Sequence, residues 1–461
     1  MSTFSGLTTA YSGLTAARAG LDVTGQNIAN ATTQGYTRQR LETAAAAPVR
    51  PTHFGTGIRA GEGVLAQGIA RLGDAQLEAR VRITAGAAGY TAVRAQAFSA
   101  LEDGLQEPGT SGVSDSLQKF WAGWQDVSNQ PEKDAPASAL LSASGQLTAR
   151  IATGYREVEA QWASVRSSAT GLVGEVNDAA GQVADLNRQI RSSVASGTSA
   201  NELVDRRTTL TATLAGLTGA TVRDNPDGTA DVLLAGNALV SGTTARALQI
   251  TGPDQLGGAG PVLVAWTHRP DAPAGVESGE LAATLSLLAP AASGGALAQA
   301  AEGYNEFAVN LADQVNALHT GAGKGPFFTY EQDRAAASLA VRPTSREDLA
   351  AGDPGAGAFD GSVADSISRL GTGTRSPDAA WSVFVTDLAS AARAELQGNA
   401  LAEVSATTAL QQQLGATSVS MDEEQVNLLE YQHAYQGAAR VMTAVDEMLD
   451  VLINRMGIVG R

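Results

Sequence analysis

Four histidines are the first side chains to weigh for chemistry, and His53, His268, His319 and His433 share no metal-ligand spacing with one another. His433 sits on a charged heptad segment, where a solvated or interfacial place is expected. The stretch TGAGKGPF (320–327) has the flavour of a phosphate loop. Its lysine is followed by Gly325 instead of Ser or Thr, and the required glycine spacing is missing. DNPDG (224–228) offers part of a calcium loop but lacks a third ligand and the closing Glu, so a hairpin turn is expected. Asn30-Ala31-Thr32 matches the glycosylation sequon, a pattern common by chance. The run Asp205-Arg206-Arg207 reads as a solvated helix face. Phe120 and Trp124, one helical turn apart, read as core packing. No nucleophile–base–acid set can be assembled from so few histidines. No catalytic residue, metal site or cofactor is therefore expected, and the chain does not read as an enzyme.

Composition points the same way. The net charge of -16 disfavours nucleic acid, whose phosphates need clustered Lys and Arg. The chain has no cysteine, which excludes disulfides, thiolate catalysis and zinc–thiolate sites. Aromatics are only 5% while Gly alone numbers 51. That balance suits closely packed long helices and loose connectors. Residues 1–20 lack the basic start and apolar run of a signal peptide, so a protein working outside the cell would need another export route. No apolar stretch reaches membrane-spanning length.

The elements that must position any function are helical. Near the N-terminus, Phe4, Leu7, Tyr11, Leu14, Leu21 and Ile28 fall on alternating steps of three and four, interrupted at Arg18 and Gly25. Near the C-terminus, Leu428, Tyr431, Tyr435, Ala438, Met442, Val445, Leu449, Leu452 and Met456 continue the same period unbroken. A 3.5-residue repeat marks a coiled-coil seam. Ser420 is placed to cap the last helix, with Glu423 at the capping-box position. One seam cannot offset the entropy of ordering so long a helix. The C-terminal helix is expected to need the N-terminal helix as first partner and neighbouring subunits as second, with both termini ordering fully on assembly.

Interior seams predict helices through Tyr155–Ile190, of about 45 residues or roughly 68 Å, through Leu297–Leu318, and around 378–415. Between 218 and 280 the character changes. TVRDNPDGTADVLL reads as strand, turn, strand around Asp227-Gly228, and ALQI and VLVAWT as further strands. FFTY (327–330) and SLAVR (338–342) suggest another short sheet, and 352–376 a surface loop. The expected architecture is mainly α with a smaller β-rich insert. Terminal helices (1–40 plus 421–461) pair as a coiled coil, a long-helix bundle (41–217 plus 281–420) forms the body, and a small β domain (218–280) is nested in the middle.

Two terminal strings carry a resemblance. SGLTAARAGLDVTGQNIANATTQGYTRQR (12–40) is similar to the N-terminal signature of bacterial flagellar axial proteins, a heptad helix leaving through an N-I-A-N-x-x-T-x-G-Y exit. Asn27, Asn30, Gly35 and Tyr36 match that exit. Short polar side chains there can satisfy the freed backbone groups, and Gly35 permits the turn. LLEYQHAYQGAARVMTAVDEMLDVLINRMG (428–457) resembles the matching C-terminal signature. The GYTRQR ending and the segment 183–222 narrow the resemblance to the hook-associated protein 1 family. The resemblance implies a structural role at the hook–filament junction, as a self-assembled ring touching the hook protein and hook-associated protein 3. It further implies type III flagellar export, a chaperone on the C-terminal helix, and an extracellular, flagellar location. On this reading the terminal apolar residues are assembly positions: Phe4, Leu7, Tyr11, Leu14, Leu21 and Ile28 on the first helix, and Leu428, Tyr431, Tyr435, Met442, Val445, Leu449 and Leu452 on the last, the latter shared with the chaperone. Another axial role, in the hook or distal rod, and a generic helical surface scaffold are the alternatives.

Overall fold

The structure, a computed structural model, describes residues 3–47 and 61–451. Leu452, Met456 and His53 lie outside the described residues, as does the side chain of Phe4. The chain begins with helix α1 (Thr3–Ala29) and ends with α11 (Met421–Asp450). Next to α1 in sequence comes a hairpin that the residue pattern did not announce. Its strands are β1 (Gln39–Ala45) and β2 (Val64–Arg71), antiparallel from Gln39 opposite Arg71 to Ala45 opposite Val64.

The body is built from α2 (Ala75–Leu105), α3 (Val113–Asn129), α4 (Asp134–Ala195), α5 (Asn201–Thr218), α6 (Gly279–Leu288), α7 (Ala296–Gly321) and α10 (Pro377–Thr417). Two short helices, α8 (Ala335–Ser338) and α9 (Ser362–Ser368), fill its end. Thus 352–376 is not wholly loop: Val363, Ala364 and Ile367 of α9 are buried. The longest helix exceeds its expected span. At 62 residues, α4 reaches about 93 Å. Its three-four seam continues upstream through Ala137, Leu140, Ser144, Leu147 and Ile151, all buried. Ala137 and Ser144 weaken the apolar repeat there.

Seven strands fill 221–273. A four-stranded antiparallel sheet holds β3 (Thr221–Asp224), β4 (Ala230–Leu234), β5 (Asn237–Ser241) and β6 (Thr244–Ala245). A three-stranded one holds β7 (Leu248–Thr251), β8 (Leu263–Trp266) and β9 (Arg269–Pro273). The last two strands, β10 (Phe328–Thr329) and β11 (Ala340–Val341), pair antiparallel, as FFTY and SLAVR suggested.

Two hydrophobic cores share α4 as their spine. The first half of α4 packs with α2, α3, α7 and α10 around Phe120, Trp124, Trp381, Phe327 and Phe328. The second half packs with α5 and the insert around Val176, Val183, Leu214, Val232, Leu239 and Trp266. Asn187 on α4 pins the insert in place. Its Nδ2 donates to the carbonyls of Ala230 and Gly242, each at 2.7 Å, and its Oδ1 accepts from Ala230 N at 3.0 Å.

The sequence motifs with a chemical flavour resolve into structure. His319 is fully buried, its Nδ1 2.6 Å from the Gly325 carbonyl while Nε2 accepts from Ala350 N at 3.1 Å. Burial pushes its pKa below the usual histidine value. TGAGKGPF begins in the last turn of α7 and runs out of its C-terminus instead of opening a helix, and Lys324 donates to the Glu347 carbonyl. DNPDG is the β3–β4 turn, with Gly228 at φ +83° and Asp227 accepting from Thr229 N and its hydroxyl. Asp205-Arg206-Arg207 departs from expectation, since Asp205 and Arg207 are buried, and both have partners. Among the described residues no cluster of three or more His, Asp or Glu side chains could hold a metal ion. Nor is any helix there long and apolar enough to cross a membrane.

Candidate assembly interface

The two terminal helices run antiparallel, and glycine sets how closely. A Cβ placed on Gly6 would lie 3.7 Å from Val445 Cγ2, one on Gly13 would lie 3.8 Å from Ala438 Cβ, and one on Gly20 would overlap the Tyr431 ring. One heptad further, Asn27 meets Glu424, its Nδ2 donating to Oε2 at 3.1 Å. The layers Gly6–Val445, Gly13–Ala438, Gly20–Tyr431 and Asn27–Glu424 step by seven along both chains in opposite directions. That is an antiparallel coil in one fixed register. Ala10, Ala17 and Thr24 complete the packed stripe of α1, and all three are buried.

The packed seam of α1 is therefore displaced by one residue from the series of large apolar side chains. Leu7, Leu14, Leu21 and Ile28 flank the coil half-buried, and Tyr11 is 61% exposed. At 100° per residue they lie on a face turned away from the β1–β2 hairpin, which α1 meets on its other side through Ser12, whose Oγ accepts from Val64 N at 3.2 Å. On α11 the expected seam does face α1. Val445 is buried, and Leu428, Tyr431, Ala438, Met442 and Leu449 are half-buried, while Tyr435 sits at the margin, 38% exposed. Outside that seam α11 carries a second apolar set that sequence reading missed. It contains Val426, Leu429, Val441, Met448 and Val451, all exposed.

The exit of α1 is a polar lock. Asn27 is 1% exposed and uses its whole amide. Its Oδ1 accepts from Tyr36 Oη at 2.9 Å and Gln39 N at 3.0 Å, and its Nδ2 donates to the Gln39 carbonyl at 2.8 Å and to Glu424. Asn30 caps locally, donating to the Gln26 carbonyl and accepting from Thr33 Oγ1. Gly35 takes φ +80°, a backbone state that glycine adopts freely, and a Cβ there would press on Thr209 Oγ1. Glu424 is as buried as Asn27, and its charge is met by Arg38 Nε at 2.7 Å, while a second arm of Arg38 reaches Glu423. Burial works against the Arg38 charge, but those two carboxylates outweigh it and hold its pKa above the ordinary value. Burial, then the fields of Asp205, Glu202 and Glu424, push the Tyr36 phenol up to about 12.

The lock extends into the body through Asp205 on α5. Its carboxylate accepts from Thr37 N at 3.0 Å and from Arg71 Nε at 2.6 Å. Arg71 also holds Glu78 at 2.7 Å. Asn201, at the start of α5, donates to Gln39 Oε1 and to the Ile69 carbonyl. Arg38 N donates to the Thr417 carbonyl at the end of α10. The hairpin that follows it, α5, and the adjoining ends of α10 and α11 thus converge on the exit string.

Both chain ends wound into one register-locked coil, mounted on a body of long helices and edged by exposed apolar residues, suit a protein that packs against other chains. The comparisons narrow this. The family model described as "Flagellar hook-associated protein FlgK helical domain" matches residues 98–324. Models of the flagellar basal body rod FlgEFG protein C-terminal region and of the flagella basal body rod protein match 410–456 and 7–37. Flagellar hook-associated protein 1 of Bacillus subtilis (strain 168) is 27% identical over 520 residues, covering all of both chains. The Salmonella typhimurium and Escherichia coli (strain K12) proteins of that name are 30% and 31% identical over 231 residues, covering 50% of this chain and 41% of theirs. A solved structure of the flagellar hook junction protein FlgK from Burkholderia pseudomallei shares the fold, with a TM-score of 0.62 at 15% identity over 75% of this chain and all of that one. This chain belongs to the flagellar hook-associated protein 1 family, and is a structural component of the bacterial flagellum.

Proposed function

We propose that the chain forms the junction between hook and filament by self-assembly through its terminal coil. The observation that carries this reading is the division of the coil into two kinds of face. Its glycine and alanine seam is used up within the chain. Its large side chains, from Tyr11 on α1 to Val426, Leu429, Val441 and Met448 on α11, remain uncovered. Large apolar side chains left exposed in such number on one coil mark an interaction site. On α10, Val383, Leu401 and Val404 are exposed on one side, and Leu396, Leu410 and Leu414 on another, which suits a helix packed between neighbours. Copies would stack these rows into a ring on the hook protein and present the opposite edge to hook-associated protein 3. Export through the flagellar type III apparatus, with a chaperone shielding the α11 rows, completes the reading and places the protein outside the cell. No catalytic step belongs to it.

The test is electron microscopy of cells lacking the gene, with flagellin assayed in the medium, and complementation by Tyr11→Asp. Hooks without filaments and flagellin lost to the medium support the junction role. Missing hooks would move the chain to the hook or rod. Because Tyr11 is exposed, Tyr11→Asp should fold normally and still fail to restore filaments. Full restoration would contradict assembly through this face.

A further inference from the structure

A cavity of ≈ 720 Å³ opens where the β1–β2 hairpin, α2, the start of α5 and the β3–β4 turn meet. Its charged lining consists of Arg71, Arg82, Arg207, Glu78 and Asp224, and Asp205, bonded to Arg71 at 2.6 Å, brings three carboxylates to three guanidiniums. The rest of the wall includes hydroxyls and amides, among them Ser199, Thr208, Thr211 and Asn225.

The three arginines are not equivalent. Arg71 is committed to Asp205 and Glu78 at 2.6 and 2.7 Å. Arg207 donates to Asn187 Oδ1 at 3.1 Å and the Gly228 carbonyl at 2.6 Å, with Asp224 at 3.5 Å. Both are parts of the wall. The side chain of Arg82 makes no hydrogen bond with the described residues. Its nearest carboxylate oxygen is Glu78 Oε2 at 3.9 Å, while the other oxygen of Glu78 is held by Arg71. Its side chain is nonetheless only 12% exposed. Burial lowers its pKa and the charges of Glu78 and Asp224 do not restore it, whereas Arg71, better paired, is raised. A planar fork of donors, largely removed from bulk water and left to whatever fills the cavity, is matched by a carboxylate in bidentate geometry.

We propose that this cavity is a carboxylate-binding site whose recognition residue is Arg82. One carboxylate takes the donors that the Arg82 fork leaves open, and the neighbouring hydroxyls and amides supply its remaining hydrogen bonds. The carboxylate comes either from a small free acid or from an acidic side chain of a second copy of this chain, since both present the same group.

The test uses the purified full-length chain. Sodium acetate is titrated against sodium chloride at equal ionic strength while the arginine Nε–H resonances are followed by NMR. A saturable shift with acetate and none with chloride, lost in Arg82→Gln, is the expected result. Sedimentation at rising protein concentration separates the sources. Self-association weakened by acetate and by Arg82→Gln assigns the carboxylate to a second copy, and an acetate response without any change in association assigns it to a free acid. No saturable acetate response in the wild type, together with identical sedimentation of Arg82→Gln, overturns the proposal. The wild-type titration stands even if the variant folds poorly, and a negative result leaves the flagellar assignment untouched.

Discussion

The body and the terminal coil are held together in opposite ways. The body buries large side chains completely: Phe120, Trp124, Phe327 and Phe328 pack ring against ring, with centroids 4.8–6.4 Å apart. The coil buries mostly Gly, Ala, Thr and Asn from α1, and on α11 only Glu424 and Val445 are buried. Burial of apolar area is the main stabilising term in folding, so the body can stand on its own residues. The coil has little such area to lose. It gains close backbone approach and a polar lock instead, and leaves Tyr11, Val426, Leu429, Val441 and Met448 uncovered. A region that spends its small residues internally and keeps its large ones outward is built to be completed by other chains.

The largest effect should come from the body. Phe120→Ala removes a fully buried ring from the centre of an aromatic cluster and is expected to cost about 3–5 kcal/mol, lowering the main denaturant midpoint. The coil should follow the body down, because its lock rests on α5 and the hairpin. Coil signals that outlast the body would break the comparison.

Asn27→Ala should come next. It removes four hydrogen bonds and strips Glu424 and Gln39 of partners in a buried site, at roughly 1–3 kcal/mol. Amide exchange should accelerate at Gln39 and along α1 while the amides of α4 and α7 keep their protection. Uniform loss of protection would mean that the lock and the body are one cooperative unit.

Gly20→Ala is a smaller perturbation. The new methyl overlaps the Tyr431 ring, and overpacking of this kind costs about 1–3 kcal/mol. The gain in helix propensity, near 1 kcal/mol, offsets part of it. Loosening should again be confined to α1 and α11. An unchanged or more stable coil would show that Tyr431 swings aside freely and that the glycine seam does not set the spacing.

The smallest effect is a pH dependence. The Tyr36 phenol titrates near 12 in the folded chain against 10.0 for the free side chain. The folded state therefore holds its proton longer than the unfolded one. This contribution is complete below pH 10 and is lost as pH rises toward about 12. Tyr36→Phe should flatten the alkaline limb of a stability profile read from α1 exchange. A limb unaltered by the substitution would assign it to other groups.

Much of this was legible in the residues. The interior seams, the β3–β4 hairpin around Asp227-Gly228 and the pairing of the two ends all follow from periodicity and turn chemistry. The misplaced part is the coil seam, where Leu7, Leu14 and Leu21 caught the period while Gly6, Gly13 and Gly20 did the packing. Glycine adds no hydrophobic signal, though three glycines seven apart are readable as a close helix approach. The burial of Asp205 and Arg207 was not readable locally. Asp205 depends on Thr37 and Arg71, and Arg207 on Asn187 and the β3–β4 turn, partners that only the tertiary fold brings near. The exit string was recognisable as a helix end, but its tie to Glu424, 397 residues away, was not.

One cross-link tests the central claim, that the small-residue face of α1 pairs with α11 within a single chain. The chain has no native cysteine, so Gly13→Cys with Ala438→Cys introduces a clean pair. The 3.8 Å between a Cβ at position 13 and that of Ala438 falls within disulfide geometry. Mild oxidation of the dilute monomer should form an intramolecular disulfide in high yield, and Tyr11→Cys with Ala438→Cys should form almost none. If the Tyr11 pair links instead, the large residues make the seam, and the division between an inner and an outer face of the coil is wrong.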